Sequence, residues 1–202
     1  TAKWGQILRS EMTNLDEKCD EFEKTLSYPM FIKPANGGSS IGISKATNRE
    51  ELEGAIKYAF ALDKKVVVEA EVKGREIECA VIGNDNPSAS VPGEIVPCND
   101  FYDYDAKYIL AQSELKIPAP LTEEEQEKIR DTAKKTYMAL GCSGLSRVDV
   151  FLCENGEVLV NEVNTIPGFT SISMYPKLME ASGISYPELL DLLITYAIDR
   201  MN

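Results

Sequence analysis

The segment GLSRVDVFLCENGEVLVNEVN, residues 144–164, holds two apolar runs on either side of Asn155 and Gly156. Asn-Gly between such runs is the strongest short-range hairpin signal. With those two residues as the turn, Glu154 faces Glu157, Leu152 faces Leu159, Val150 faces Asn161, Asp149 faces Glu162 and Arg147 faces Asn164. Side chains alternate along a strand, so Arg147, Asp149, Glu162 and Asn164 share one face. Directly opposed residues have Cβ atoms roughly 4.5–5.5 Å apart, and like charges placed there destabilise a hairpin. Arg147 supplies a counter-charge, but Asn164 adds a neutral oxygen that an ion pair does not require. Two carboxylates and a carboxamide on rigid strands suit Mg²⁺, which takes oxygen ligands and often shares substrate phosphates. A solvated polar face with one Arg–carboxylate pair fits the same spacing. The apolar residues flanking these positions favour a buried site.

The rest of the chain mixes helices and strands without strict βαβ alternation, so the expected class is α+β with largely antiparallel sheets. Residues 14–27 read as a helix with Leu15, Cys19, Phe22 and Leu26 on one stripe. Thr47 with Glu50, Thr122 with Glu125 and Ser185 with Glu188 are three capping boxes. The helix after Thr122 carries Ile129, Ala133, Tyr137 and Leu140. The last helix carries Leu189, Leu190, Leu193, Ile194 and Ala197. Residues 4–11, 28–34, 41–46, 64–72, 75–83 and 91–97 are strand candidates, and a division of the chain near residue 72 is expected.

Composition narrows the chemistry. The 202 residues carry a formal net charge of −12, which argues against a nucleic-acid surface. No apolar run approaches the length of a membrane span, and no signal peptide is apparent. There is no histidine, so acid–base or electrostatic work falls to Asp, Glu, Lys, Arg, Tyr, Ser, Cys or backbone groups. Five cysteines without a C-x-x-C spacing read as reduced thiols of a cytoplasmic protein.

Two loops stand out. KPANGGSSIG, residues 33–42, is neither a Walker loop nor a G-x-G-x-x-G turn. A Gly/Ser turn between strands can still fold over phosphate, with Lys33 as a point charge; an ordinary Gly-rich hairpin fits as well. FYDYDAKY, residues 101–108, lies in a long aromatic segment, and such loops are often functional, although aromatic packing alone would also explain it.

Together YPMFIKPANGGSSIGISKA (28–46), VVVEAEVKGREIECAVIGN (66–84), FYDYDAKY, GLSRVDVFL (144–152) and VNEVNTIPGFTSISMYPKLMEASGISYPELL (160–190) resemble the D-alanine–D-alanine ligases of the ATP-grasp superfamily. They lie in the family's order and cover about residues 28–198. The resemblance implies an ATP-grasp fold of two mostly antiparallel sheets with packed helices, residues 1–72 forming part of the small subdomain and 73–202 the catalytic one. It implies a ligase that joins two D-alanines with ATP through an acyl phosphate, for peptidoglycan synthesis in the cytoplasm. Two Mg²⁺ ions, with Mn²⁺ as an acceptable substitute, would sit on Asp149, Glu162 and Asn164. Lys33 and Ser40 would meet ATP phosphate, Glu69 and Val72 the adenine, and Glu76 the ribose. Arg147 and the backbone of Gly168 would stabilise the oxyanion. Ser173 would bind the second D-alanine, and Lys107 the transferring phosphate. Tyr108 would hydrogen-bond Ser39 over the first substrate, with Tyr102 supporting the closed loop. Ala70 stands where relatives often carry a longer polar side chain. The family also has an N-terminal domain ahead of the position equivalent to Thr1, and it pairs as homodimers. The expectation is therefore that residues 1–202 alone are a poor or inactive ligase. Another carboxylate–amine ATP-grasp ligase, or a non-catalytic nucleotide-binding module, would share most of these residues.

Overall fold

The computed structural model describes residues 1–96 and 114–201. They divide into two compact units, one spanning Ala2–Val72 and the other Lys73–Val96 with the residues from Glu114 onward.

In the first unit, β1 (Trp4–Leu8), β2 (Met30–Pro34), β3 (Ser44–Ala46) and β4 (Lys65–Ala70) form an antiparallel sheet ordered β1-β4-β2-β3. Helices α1 (Leu15–Thr25) and α2 (Arg49–Leu62) cover one face. Ile7, Met30, Ile32, Val66 and Val68 meet Leu15, Cys19 and Phe22 of α1 and Leu52, Ile56 and Ala59 of α2. The expected stripe of α1 is buried throughout. A fully buried Leu or Phe contributes roughly 1.5–3 kcal/mol, so this face fixes the helix on the sheet. The cap of α2 lies one residue later than expected. Asn48 is the N-cap and accepts from the Glu51 backbone N–H, while the Glu51 carboxylate takes the Thr47 N–H and hydroxyl. Asn ranks above Thr as a cap, which accounts for the shift.

The second unit is built on β5 (Gly74–Gly83), β6 (Ser88–Ala89), β7 (Gly93–Val96), β8 (Glu114–Lys116), β9 (Gly144–Cys153) and β10 (Val158–Asn164). The sheet is antiparallel, ordered β10-β9-β5-β7-β8, with β6 also pairing to β5. Helix α3 (Glu123–Ala139) packs Ile129, Ala133 and Tyr137 against Ile77, Cys79, Val81, Val148, Val150 and Leu152. Leu140, expected on that stripe, is exposed because the helix ends at Ala139. Helix α4 (Met174–Ala181) covers part of the other face. A Cβ on Gly93, the partner of Glu78, would run into Leu178 and Met174. Helix α5 (Tyr186–Asp199) keeps its expected Ser185–Glu188 capping box but buries only Leu189; Leu190 and Ile194 are exposed.

The β9–β10 hairpin departs from the expected register near its tip. Its turn has three residues, Glu154 to Gly156. The Gly156 N–H donates to the Cys153 carbonyl at 2.9 Å, and the Cys153 N–H to the Glu157 carbonyl at 2.9 Å. Gly156 has φ +76°, a left-handed conformation open to glycine at little cost. A type I turn closed by such a glycine is the next commonest hairpin after the two-residue one. Leu152 therefore faces Val158, and Val150 faces Val160. The register then shifts between Val160 and Glu162, leaving Asn161 as the extra residue of a β-bulge. Beyond it the expected pairs return: Asp149 with Glu162, and Arg147 with Asn164.

Candidate active site

The bulge sets the site. Val160 and Val163 both pack against the core under α3. Residues three apart on a regular strand point to opposite faces. The extra residue reverses the alternation, so Glu162 leaves the core side and stands opposite Asp149 on the face away from α3.

On that face Arg147 and Asp149 form a two-pronged pair. Nε donates to Oδ1 and Nη2 to Oδ2, each at 2.7 Å. The Asn164 amide donates to Asp149 Oδ2 at 3.0 Å and lies 3.5 Å from Glu162 Oε1. The spacing of residues 147–164 thus brings together the four side chains it singled out. Asp149 is only 8% exposed. Burial pushes its carboxyl up to about 6, with the Glu162 charge adding to the rise against the pull of Arg147. Burial alone would lower the Arg147 guanidinium, but Asp149, Glu78 and Glu162 outweigh it and hold it above its ordinary value.

Glu78 was not among the residues expected here. It sits on β5 directly opposite Asp149, is 6% exposed, and places Oε2 3.0 Å from Arg147 Nε. The alternation of Glu76 and Glu78 with Ile77, Cys79 and Val81 already put it on the polar face of its strand. The pairing of β5 beside β9 brings it to Arg147, and no local pattern encodes that.

Three carboxylates therefore surround one guanidinium, leaving two negative charges over. Among the described residues no group of three or more Asp, Glu, Cys or His side chains is placed to hold a metal ion, so a cation here would rely on the carboxylates of Asp149 and Glu162 and the carboxamide of Asn164. The two carboxylates are hard oxygen donors, Asn164 would add a third by turning its amide oxygen in place of the N–H that now meets them, and the charge deficit equals that of one divalent cation. Both observations fit Mg²⁺, whose remaining ligands are ordinarily water and phosphate.

The loop after β10 is pinned from behind. The Phe169 ring packs 5.8 Å from Tyr175 and 5.5 Å from Tyr186, centroid to centroid, and the Tyr186 hydroxyl donates to the Phe169 carbonyl at 3.2 Å. Ser173 Oγ accepts from the Thr170 N–H at 3.1 Å and lies 2.9 Å from Thr170 Oγ1. A Cβ on Gly168 would sit 2.9 Å from Ser173 Oγ, so any side chain there would have to displace the serine hydroxyl. Gly168 and Ser173 are thereby brought together. Glu76 lies on β5, opposite Phe151 and Ile95, on the same face as Glu78.

The first unit carries its own cluster. Lys33 Nζ lies 2.6 Å from Glu69 Oε2 on the sheet face away from the helices. Phe31 and Trp4 both stand opposite Glu69, one on each neighbouring strand. Val72 lies two residues beyond the end of β4. Ser39 and Ser40 have φ 53° and 58°, two consecutive non-glycine residues in the left-handed region. Strained backbone of this kind clusters at active sites, ligand clamps and switch regions, and successive backbone N–H groups in such turns can form an anion-binding concavity. Tyr102, Lys107 and Tyr108 lie outside the described residues.

The family model of the D-Ala–D-Ala ligase C-terminus matches residues 1–195. The chain belongs to the D-alanine–D-alanine ligase family. It is 58% identical to a D-alanine–D-alanine ligase of Acetivibrio thermocellus over 91% of this chain and 49% of that protein. It is 54% identical to D-alanine–D-alanine ligase A of Escherichia coli K12 over 89% of this chain and 50% of that protein. Among solved structures, a VanG D-Ala:D-Ser ligase from Enterococcus faecalis matches with TM-score 0.87 and 43% identity, covering 97% of this chain and 56% of that one. The D-alanine–D-alanine ligase from Coxiella burnetii matches with TM-score 0.82 and 37% identity, covering 99% and 52%. The fold is thus that of these ligases, α+β with two antiparallel sheets. The chain spans about half the length of the curated relatives it matches.

Proposed function

We propose that this chain forms the ATP-binding and catalytic part of a cytoplasmic ligase that joins two D-alanines, giving ADP and phosphate, for peptidoglycan synthesis. One observation carries the reading: Asp149, Glu162 and Asn164 gather on one sheet face beside a buried Arg147, in a chain of this family. The unit through Val72 would act as the small ATP-grasp subdomain and the unit from Lys73 as the catalytic one.

Phosphoryl transfer asks a protein mainly for positioning and charge neutralisation. Magnesium held by Asp149, Glu162 and Asn164 would supply positive charge to ATP oxygens. Lys33 and Ser40, with the strained backbone at Ser39–Ser40, would bind phosphate. Glu69, Val72 and Glu76 would hold the nucleoside. The acyl phosphate formed on the first D-alanine is attacked by the amine of the second, and negative charge then develops on the former carbonyl oxygen. Arg147 and the Gly168 N–H would stabilise that charge, an effect commonly worth about 2.7–4 kcal/mol per donor. Ser173 would bind the carboxylate of the second D-alanine. Lys107 would contact the transferring phosphate, and Tyr108, hydrogen-bonded to Ser39, and Tyr102 would support a closed loop that excludes water, because hydrolysis of the acyl phosphate wastes ATP.

The test is phosphate release by the protein as encoded, with D-alanine, D-serine or D-lactate as acceptor. D-serine is included because the Enterococcus faecalis neighbour is a D-Ala:D-Ser ligase. Release that depends on D-alanine is expected, and ATP binding with no acceptor-dependent release would reduce the chain to a nucleotide-binding module. Glu162→Gln is expected to abolish turnover with an unchanged far-UV spectrum; near-normal turnover would remove Glu162 from the metal set.

A further inference from the structure

Glu78 has no part in the function proposed above, yet its position is costly. It stands directly opposite Asp149 on the neighbouring strand, and both residues are more than nine-tenths buried. Opposed like charges destabilise a sheet, and a buried charge demands a partner. An ion pair with Arg147 needs only one of them. Asp149 already takes both the Nε–H and an Nη2–H of Arg147, while Glu78 Oε2 waits 3.0 Å from Nε. The single Nε–H is aimed at Asp149, so the contact with Glu78 is chiefly coulombic in this arrangement.

We infer that Glu78 is a positioning residue that retains the Arg147 guanidinium when Asp149 turns to a cation. The inference rests on the reading of Asp149 as a cation ligand. A dication on Asp149 draws on the oxygen lone pairs that now receive Arg147 and repels the guanidinium. Arg147 then needs an anion of its own, and Glu78 is already within reach. Its placement is rigid: β5 lies inside the sheet between β9 and β7, and α4 packs against the neighbouring Gly93.

The experiment follows the Arg147 Nε–H by ¹⁵N-resolved proton exchange in the parent protein and in Glu78→Gln, with and without Mg²⁺ and ADP. The Asp149 carboxyl ¹³C signal is read in parallel. Without the cation, exchange should agree within about twofold between the two proteins, because Asp149 holds the guanidinium in both. With Mg²⁺ and ADP the Asp149 signal should move, and exchange should become about fivefold to tenfold faster in Glu78→Gln alone, since a charged acceptor holds the proton roughly twice as strongly as a neutral one. An Asp149 shift with equal exchange in both proteins overturns the inference and leaves the proposed function standing. No Asp149 shift in the parent removes the cation reading and this inference with it. Should Glu78→Gln fail to fold by its thermal melt, Glu78→Asp, which withdraws the carboxylate by one methylene, gives the same comparison. In turnover, Glu78→Gln should lower kcat about 10–100-fold with the KM for ATP nearly unchanged. In an Arg147→Lys background the same substitution should cost less than about twofold, whereas an equal loss in both backgrounds would mean that Glu78 does not act through Arg147.

Discussion

Arg147 balances the site, because it is the cation between Asp149 and Glu78. Arg147→Met should lower stability by about 3–5 kcal/mol, read as a fall in denaturant midpoint, since it leaves buried carboxylates without a partner. A change below about 1 kcal/mol would show that water reaches those carboxylates freely. Tyr137 tests the core beneath. Its hydroxyl donates to the buried Gly83 carbonyl at 2.6 Å, so Tyr137→Phe should cost about 1–3 kcal/mol without altering nucleotide binding. Arg75 and Glu94 set a pH dependence. Two 2.8 Å hydrogen bonds from Arg75 hold the Glu94 carboxyl below its ordinary 4.5. A depressed folded-state pKa stabilises above the unfolded value, and that contribution is lost as pH falls through the folded one. The melting-temperature difference between the parent and Arg75→Met should therefore be full at neutral pH and shrink below about 4.5.

Among the elements, the bulged strand β10 decides most. Deleting Asn161 would remove the bulge and place Val160 next to Glu162, so regular alternation would keep Val163 toward the core and Glu162 opposite Asp149. Both the deletion variant and Asn161→Ala should therefore retain Mg²⁺-dependent ADP binding in calorimetry; its loss in the deletion variant alone would show that the site depends on the local bend of the bulge as well as on the face that Glu162 occupies. Legibility in the sequence divides at this strand. Period two and the Asn-Gly turn were enough to bring Arg147, Asp149, Glu162 and Asn164 to one face, because strand alternation is a local property. The expected two-residue turn and regular strand were each one residue off, and the two differences cancel at Asp149. The signal for the bulge was present in Val158, Val160 and Val163, three core-facing valines spaced by two and then by three. Glu78 was not legible, because its partner comes from strand pairing across the sheet. The exposed Leu190 and Ile194 show the converse limit: an apolar stripe predicts a helix well but does not say which part of it another element covers.

For the whole molecule, charge is the governing quantity. On the function proposed above, a chain with net charge −12 would meet a polyanionic nucleotide at a site whose own carboxylates outnumber its guanidinium. Chelating Mg²⁺ with EDTA should weaken ADP binding at least about tenfold in calorimetry, and raising ionic strength should recover part of the loss by screening the repulsion. Affinity unchanged by the chelator would mean that nucleotide binds by its base and sugar alone. The two cores, one around Ile32 and Val68 and the other around Ile77 and Val150, are separate clusters of buried residues. One consequence follows from β1. The chain has a single tryptophan, and Trp4 stands directly across from Glu69, more than half exposed. If Glu69 holds adenine as proposed, the base settling against that strand would alter the surroundings of the indole, and its emission would then report nucleotide arrival with neither label nor coupled assay.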